Sequence, residues 1–213
     1  MSKLNIDQKT VKELFSAKKT KFLIPDYQRP YAWGEDECQT LWEDLFNFSF
    51  PENNCDNFDS ESDEYFLGPI VTFKNDKGDM EIIDGQQRLT TLMLLLRAFY
   101  DKFKNMKDDK SEKTREQIEA CIWKTDEFGY VNTEELKINS EVATDKDKDE
   151  FLEILRTGDV TKGKSSYAKN YKFFQDKIKE FTEEYVSYTP LLPLRICKTV
   201  FSYQLKQNPK ILH

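Results

Sequence analysis

Histidine is almost missing from this chain: of 213 residues one is histidine, and it is the last, His213. A His-Asn-His nuclease site, a histidine zinc centre and a Ser–His–Asp triad all need imidazoles, and a single terminal ring builds none of them. Chemistry here must come from carboxylates, amides, Arg, Lys or a bound metal. Cysteine is sparse too. Cys38, Cys55, Cys121 and Cys197 stand far apart with no Cys-x-x-Cys pair, which reads as reduced thiols and not as a disulfide or zinc framework. No apolar run approaches the ~20 residues that span a bilayer, and no secretory signal is visible. The expectation is a soluble, cytoplasmic protein with no membrane partner. Positive charge is in deficit, at a net −7, which argues against broad, non-specific nucleic-acid binding and leaves only a local basic edge, such as Lys18–Lys21 with Arg29.

Aromatic residues are plentiful. With 16 Phe, 10 Tyr and 3 Trp the chain can bury a core although 33% of its residues are charged. Its densest stretch is Glu81–Ile82–Ile83–Asp84–Gly85–Gln86–Gln87–Arg88–Leu89–Thr90–Thr91. Tyr65–Phe73 and Met80–Ile83 read as strands joined by the turn Asn75–Asp79. Leu89, Leu92, Met93, Leu96, Phe99 and Tyr100 then recur at helical steps, predicting a helix from Gln86 to about Lys104. Asp84–Arg88 thus falls where a strand ends and a helix begins. A helix start leaves backbone N–H groups unpaired and carries the positive end of the dipole, so it suits phosphate. Gly85 permits close backbone approach, and Arg88 offers a planar fork for phosphate oxygens. Asp84 is placed to cap the helix or to hold a metal ion. The plainer reading is a capped helix with two solvated glutamines and a surface arginine.

A second dense segment precedes it, Ile24–Pro25–Asp26–Tyr27–Gln28–Arg29–Pro30–Tyr31–Ala32–Trp33. Its two prolines exclude a regular helix and predict a stiff, extended loop after a strand at Lys21–Ile24. Aromatic faces beside an arginine suit a nucleobase, with Gln28 to read its edge. Alternatively, Tyr27, Tyr31 and Trp33 simply pack under the sheet. Gly68, in the strand Tyr65–Val71, marks either a bulge or a close approach.

The remaining elements frame these two. Ile6, Val11, Leu14 and Phe15 predict a first helix with Asp7 as cap, ending near Ala17. Glu35–Glu37 open a helix whose apolar stripe is Cys38, Leu41, Trp42 and Leu45. Lys107–Lys113 is a charged linker, dividing residues 1–105 from a mainly helical region, 106–213. There, Glu112–Trp123 and Tyr167–Val186 are predicted helices, Tyr130–Ile138 is a hairpin or extended segment, and Cys197–Leu205 is a strand. Asp145–Asp149 resembles the opening of a calcium loop but has Glu150 where that loop needs glycine, so it is expected to be a first helical turn. Lys206–His213 ends the region as a polar stub, as if the helical part were incomplete.

Taken together, Ile24–Trp33, Tyr65–Ile70 and Ile83–Leu92 resemble, in order and spacing, the DGQQR family, the N-terminal domain of GmrSD-type restriction systems. Tyr167–Phe174 matches that family more weakly. The resemblance implies an α+β fold of ParB/sulfiredoxin type, with a small mixed sheet and helices over 1–105, followed by the helical region. It implies binding and hydrolysis of a nucleoside triphosphate with Mg²⁺ or another divalent cation, in bacterial defence against foreign or modified DNA. The partner implied is a DNA-cleaving domain or subunit. Carried over by residue, Asp84, Gln86, Gln87 and Arg88 are the candidate catalytic set, with Asp84 the candidate metal ligand. Tyr27, Gln28, Arg29, Trp33, Gly68, Gly85, Arg88 and Thr90 are the candidate nucleotide-binding set. Two other classes remain open on the residues alone: a direct DNA-binding sensor or nuclease subunit, and a non-catalytic interaction module.

Overall fold

Strand β4 (Met80–Asp84) runs into helix α3 (Gln86–Phe103) through Gly85, and the rest of the chain is laid around that axis. The computed structural model describes residues 4–16, 21–59, 63–160, 163–185 and 189–206. Lys18–Thr20 of the expected basic edge and the polar end after Lys206, with His213, lie outside the described residues.

Every residue of α3 from Leu89 to Phe99 is buried, so the helix has no solvent face over three turns. Such a helix must be covered from all sides. Helices α4 (Asp109–Ile122), α5 (Lys148–Thr157) and α6 (Ser166–Glu184) supply that cover. Arg97 sits in this core at 2% exposure, where its guanidinium pairs with Asp101 at 2.6 Å and lies over the rings of Tyr100 and Trp123. A buried cation persists only with such compensation.

The main sheet has six strands in the order β1-β8-β3-β4-β2-β7. Strands β1 (Leu4–Thr10) and β8 (Val200–Lys206) are antiparallel, β8 runs parallel to β3 (Phe66–Lys74), and β3 is antiparallel to β4. Strand β2 (Phe22–Ile24) joins β4 to β7 (Ile138–Ser140), parallel to both. Two strands from beyond residue 105 therefore complete a sheet whose other four come from before it. A separate two-stranded ribbon, β5 (Trp123–Thr125) with β6 (Val131–Leu136), leaves the end of α4. Among the described residues this is a mixed α+β molecule with seven helices, as the α+β expectation required.

Three local expectations change. Residues 4–10 form a strand and not the start of a helix, because they pair along their length with β8. Helix α1 (Val11–Ser16) begins after Thr10, whose hydroxyl accepts from Glu13 N at 3.1 Å while the Glu13 carboxylate takes Thr10 N–H at 2.9 Å. That reciprocal cap replaces the one expected at Asp7. Near the other end, Leu191–Ile196 is a helix, α7, with Pro193 in its first turn, where the missing N–H costs nothing. Finally, α5 starts at Lys148, and Asp145 lies before it as a buried acceptor.

Helix α2 (Glu35–Ser49) follows the proline-bounded loop and buries Cys38, Leu41, Trp42 and Leu45, the stripe expected for it. Burial raises the Cys38 thiol to about 12, so it stays protonated and inert.

Candidate functional site

The β4–α3 junction has a shape that its neighbours enforce. Gly85 holds φ +93°, a left-handed conformation, and a Cβ there would lie 2.9 Å from Pro69 O and 3.0 Å from Ile70 Cγ1. Asp84 Oδ1 accepts from Gly85 N at 2.8 Å. The first helical bond follows, from Leu89 N to Gly85 O at 3.0 Å. The N–H groups of Gln86, Gln87 and Arg88 precede it, and no acid stands in this first turn. Within the first turn no side chain neutralises the positive end of α3; the nearest carboxylate is that of Asp84, just before it.

Gly68 answers from the adjacent strand. It holds φ +99°, and a Cβ there would meet Arg88 Cζ and Nη1 at 2.9 Å. The strand register shifts at this point, between Phe66 and Gly68. Both meanings open in the sequence apply together: a bulge, and a close approach. The approach is by the Arg88 guanidinium, whose Nη1 donates to Pro69 O at 3.3 Å.

The loop of residues 25–34 closes over the junction, and the amides hold it there. Gln28 Nε2 donates to Ile82 O at 3.1 Å and Ile83 O at 3.0 Å, at the end of β4. In return Gln86 Nε2 donates to Arg29 O at 3.0 Å, and Gln87 Nε2 to Pro30 O at 3.1 Å. Gln87 Oε1 also accepts from Ala32 N at 2.8 Å. Instead of presenting free donors to solvent, both glutamines are more than nine-tenths buried and turned into the loop.

The loop is gripped from its other side by α6. Asn170 Nδ2 donates to Trp33 O and to the Tyr31 hydroxyl, each at 2.8 Å. Thr91 Oγ1 donates to Gln87 O at 2.9 Å, so the 2.6 Å contact between Tyr31 and Thr91 has tyrosine as donor. The Tyr31 ring stacks on Tyr167 at 4.7 Å, and the Tyr167 hydroxyl donates to Asp145 Oδ2 at 2.6 Å. Burial, then the bonded carboxylate, pushes Tyr167 far above the usual tyrosine range, so it remains a donor.

What results is a cavity of about 450 Å³ between loop and junction. Of the residues singled out in the sequence, Gln28, Arg29, Trp33, Asp84, Gly85, Gln86, Gln87 and Arg88 line it, with Pro69 and Ile83. Gly68 lies beneath Arg88. Thr90 faces away, into a small void of about 10 Å³ that it shares with Ser140 and Tyr167. Gln86 and Ser140 line the same void, and Gln86 Oε1 and Ser140 Oγ are buried without a partner among the described residues. Its size is about that of one water. Tyr27 does not line the cavity; at 64% exposure it stands on the turn after Pro25.

Asp145, Asn170, Tyr167 and Thr91 were not singled out for this site. The helical match around Tyr167 carried a faint signal for two of them. Asp145 carried none, since its acidic run reads locally as a helix start.

Among the described residues no three His, Cys, Asp or Glu side chains gather to hold a metal ion. Asp84 is the carboxylate that lines the cavity. Mg²⁺ that travels with phosphates needs only one or two protein carboxylates. A single carboxylate in the cavity therefore fits a cation borne by a nucleotide. No helix among the described residues is long and apolar enough to cross a membrane.

The model of the GmrSD restriction endonuclease N-terminal domain matches residues 11–210. That covers nearly the whole chain, which therefore belongs to this family of restriction-system proteins. No curated protein matches it.

Proposed function

We propose that this member of the GmrSD N-terminal domain family binds a nucleoside triphosphate in the 450 Å³ cavity and hydrolyses it to control a DNA-cleaving partner domain or subunit. The observation that carries the reading is the open start of α3: a first turn with no acid, facing a cavity that Arg29 and Arg88 also line. Backbone donors, a helix dipole and two guanidinium groups converge there, which is how proteins hold phosphate.

Each residue has a part in this reading. Arg88, with one donor bound to Pro69 O, has four left for phosphate oxygens. As charge builds on the transferred phosphoryl group, those fixed donors stabilise it without reorganising. Arg29 binds from the loop side. Asp84 would hold a divalent cation, which would supply positive charge against the phosphates. Gln86 and Gln87 are positioning residues: they clamp residues 29–32 over the junction so that Arg29 and Trp33 face the ligand.

The test is calorimetric titration of ATP, GTP, CTP and UTP with Mg²⁺ on the wild type and Arg88→Ala. The expected result is saturable binding that the variant weakens by ~1.5–3 kcal/mol, the range for a charge-assisted hydrogen bond. Equal affinity in the two proteins would overturn the phosphate site. With binding established, release of inorganic phosphate measures the hydrolysis.

A further inference from the structure

A second cavity of about 310 Å³ adjoins the first, between the start of α2 and strand β3, and the two share Trp33 and Arg88. Its character is different. Leu41 and Leu67 give it an apolar floor, Trp33 and Tyr65 give aromatic edges, and Glu37, Thr40 and Asp44 bring oxygen atoms to its rim. The Tyr65 hydroxyl donates to Asp44 Oδ2 at 2.7 Å, which orients that carboxylate, and Glu37 Oε2 accepts from Gly34 N at 2.7 Å.

Charge is divided between the two spaces. Arg29 borders only the first, Glu37 and Asp44 border only the second, and Arg88 stands at the junction. A triphosphate is repelled from the acidic side and held on the other, so a nucleotide spanning both has one favourable orientation. We propose that the cavity between α2 and β3 is the nucleobase subsite and that the Asp44 carboxylate at its rim selects guanine. The subsite rests on the phosphate reading above; neither the loop nor the DGQQR stretch supplies its floor or its acids.

The choice of guanine follows from donors and acceptors. An ionised carboxylate only accepts hydrogen bonds. Guanine alone among the four common bases offers it two adjacent donors, an imino N–H and an amino group. Adenine and cytosine set an acceptor lone pair beside their amino group, and uracil flanks its one N–H with two carbonyls. A site built to receive two donors rejects bases that lack them.

The experiment titrates the full chain, with Mg²⁺, against GTP, ATP, xanthosine triphosphate and inorganic tripolyphosphate, for the wild type and Asp44→Asn. Asp44 is exposed and an asparagine oxygen can still accept from Tyr65, so the variant keeps the fold; an unchanged melting temperature checks this. GTP is expected to bind the wild type about tenfold or more tightly than ATP or tripolyphosphate. Asp44→Asn should erase that advantage, favour xanthosine triphosphate, whose carbonyl replaces the amino group, and leave tripolyphosphate unchanged. Equal binding of GTP and ATP by the wild type overturns the subsite and leaves the phosphate site standing. So does a GTP advantage that survives in Asp44→Asn. Failure of tripolyphosphate and every nucleotide to bind the wild type overturns both.

Discussion

Helices α2 and α3 both start after a glycine, and the two starts are completed in opposite ways. Gly34, before α2, has extended backbone at φ −111°, and Glu35, Asp36 and Glu37 fill the first turn. The Glu37 carboxylate turns back to take Gly34 N–H. That end is neutralised by its own residues, as a helix facing solvent usually is. Gly85, before α3, is left-handed, and neither an acid nor a side-chain cap follows it. The first-turn side chains are instead two amides tied to a neighbouring loop and an arginine laid over Gly68. Nothing in α3's own sequence cancels the dipole there. A helix start kept open and positively flanked costs stability unless the structure around it compensates, and here β3, the proline-bounded loop and α6 do so. The difference separates two locally similar junctions: the first turn of α2 carries its own acids and that of α3 carries none.

The most severe way to break the comparison is to give both glycines a side chain. Gly85→Val meets a left-handed backbone and the Pro69 carbonyl 2.9 Å from its Cβ, and should cost about 3 kcal/mol or more in chemical denaturation. Gly34→Ser finds an allowed backbone and no contact closer than 3.6 Å, and should leave stability unchanged or slightly raised, since serine is a good cap. Comparable losses at the two glycines would mean that the junctions do not differ in their tolerance of a side chain.

Next in size is Gln87→Leu. It strands Ala32 N and Pro30 O, which the amide now serves, and should destabilise by about 2–3 kcal/mol. If Gln87 positions the loop, nucleotide affinity should also fall although the residue donates nothing to phosphate. A variant that loses stability while binding nucleotide as tightly as the wild type would reduce the clamp to a packing role.

The mildest effect sharpens the contrast with a third start, that of α1, where the bonds from Thr10 hold the Glu13 carboxyl below its ordinary value of 4.5. A folded value lower than the unfolded one gives stability that is present above pH 4.5 and lost as pH falls through the folded value. Urea midpoints of the wild type and Glu13→Gln should differ by a small margin at pH 7 and converge toward pH 3. No such margin is expected at the start of α3, which has no first-turn carboxylate. A difference between wild type and Glu13→Gln that persists at pH 3 would show that the cap does not act through ionisation.

The β4–α3 junction was legible because its signals are local. A glycine after an acid, a change from strand alternation to helical spacing, and amides beside an arginine all act within a few residues of chain. The same holds for α2, whose acids and apolar stripe stand in one short run. Residues 4–10 misled for the converse reason. Their apolar spacing suits a helix, but antiparallel pairing with Val200–Lys206 satisfies their backbone in a strand, and tertiary pairing outweighs propensity. Asp145 was illegible on the same ground: beside its local bond from Asp147 N, the partners that tie it to the site, Tyr31 N and Tyr167 Oη, are 114 and 22 residues away in the chain.

The sequence by itself determined the residues of the β4–α3 turn and the helix that follows it, because backbone conformation, helix polarity and side-chain chemistry are set within a turn or two of chain. Only the tertiary structure decided that the glutamines clamp a loop, that Tyr27 stands outside the cavity, and that Asp145, Tyr167 and Asn170 hold the loop in place. Those outcomes depend on which distant groups are buried together, and a buried polar atom must find its partner wherever the fold brings one.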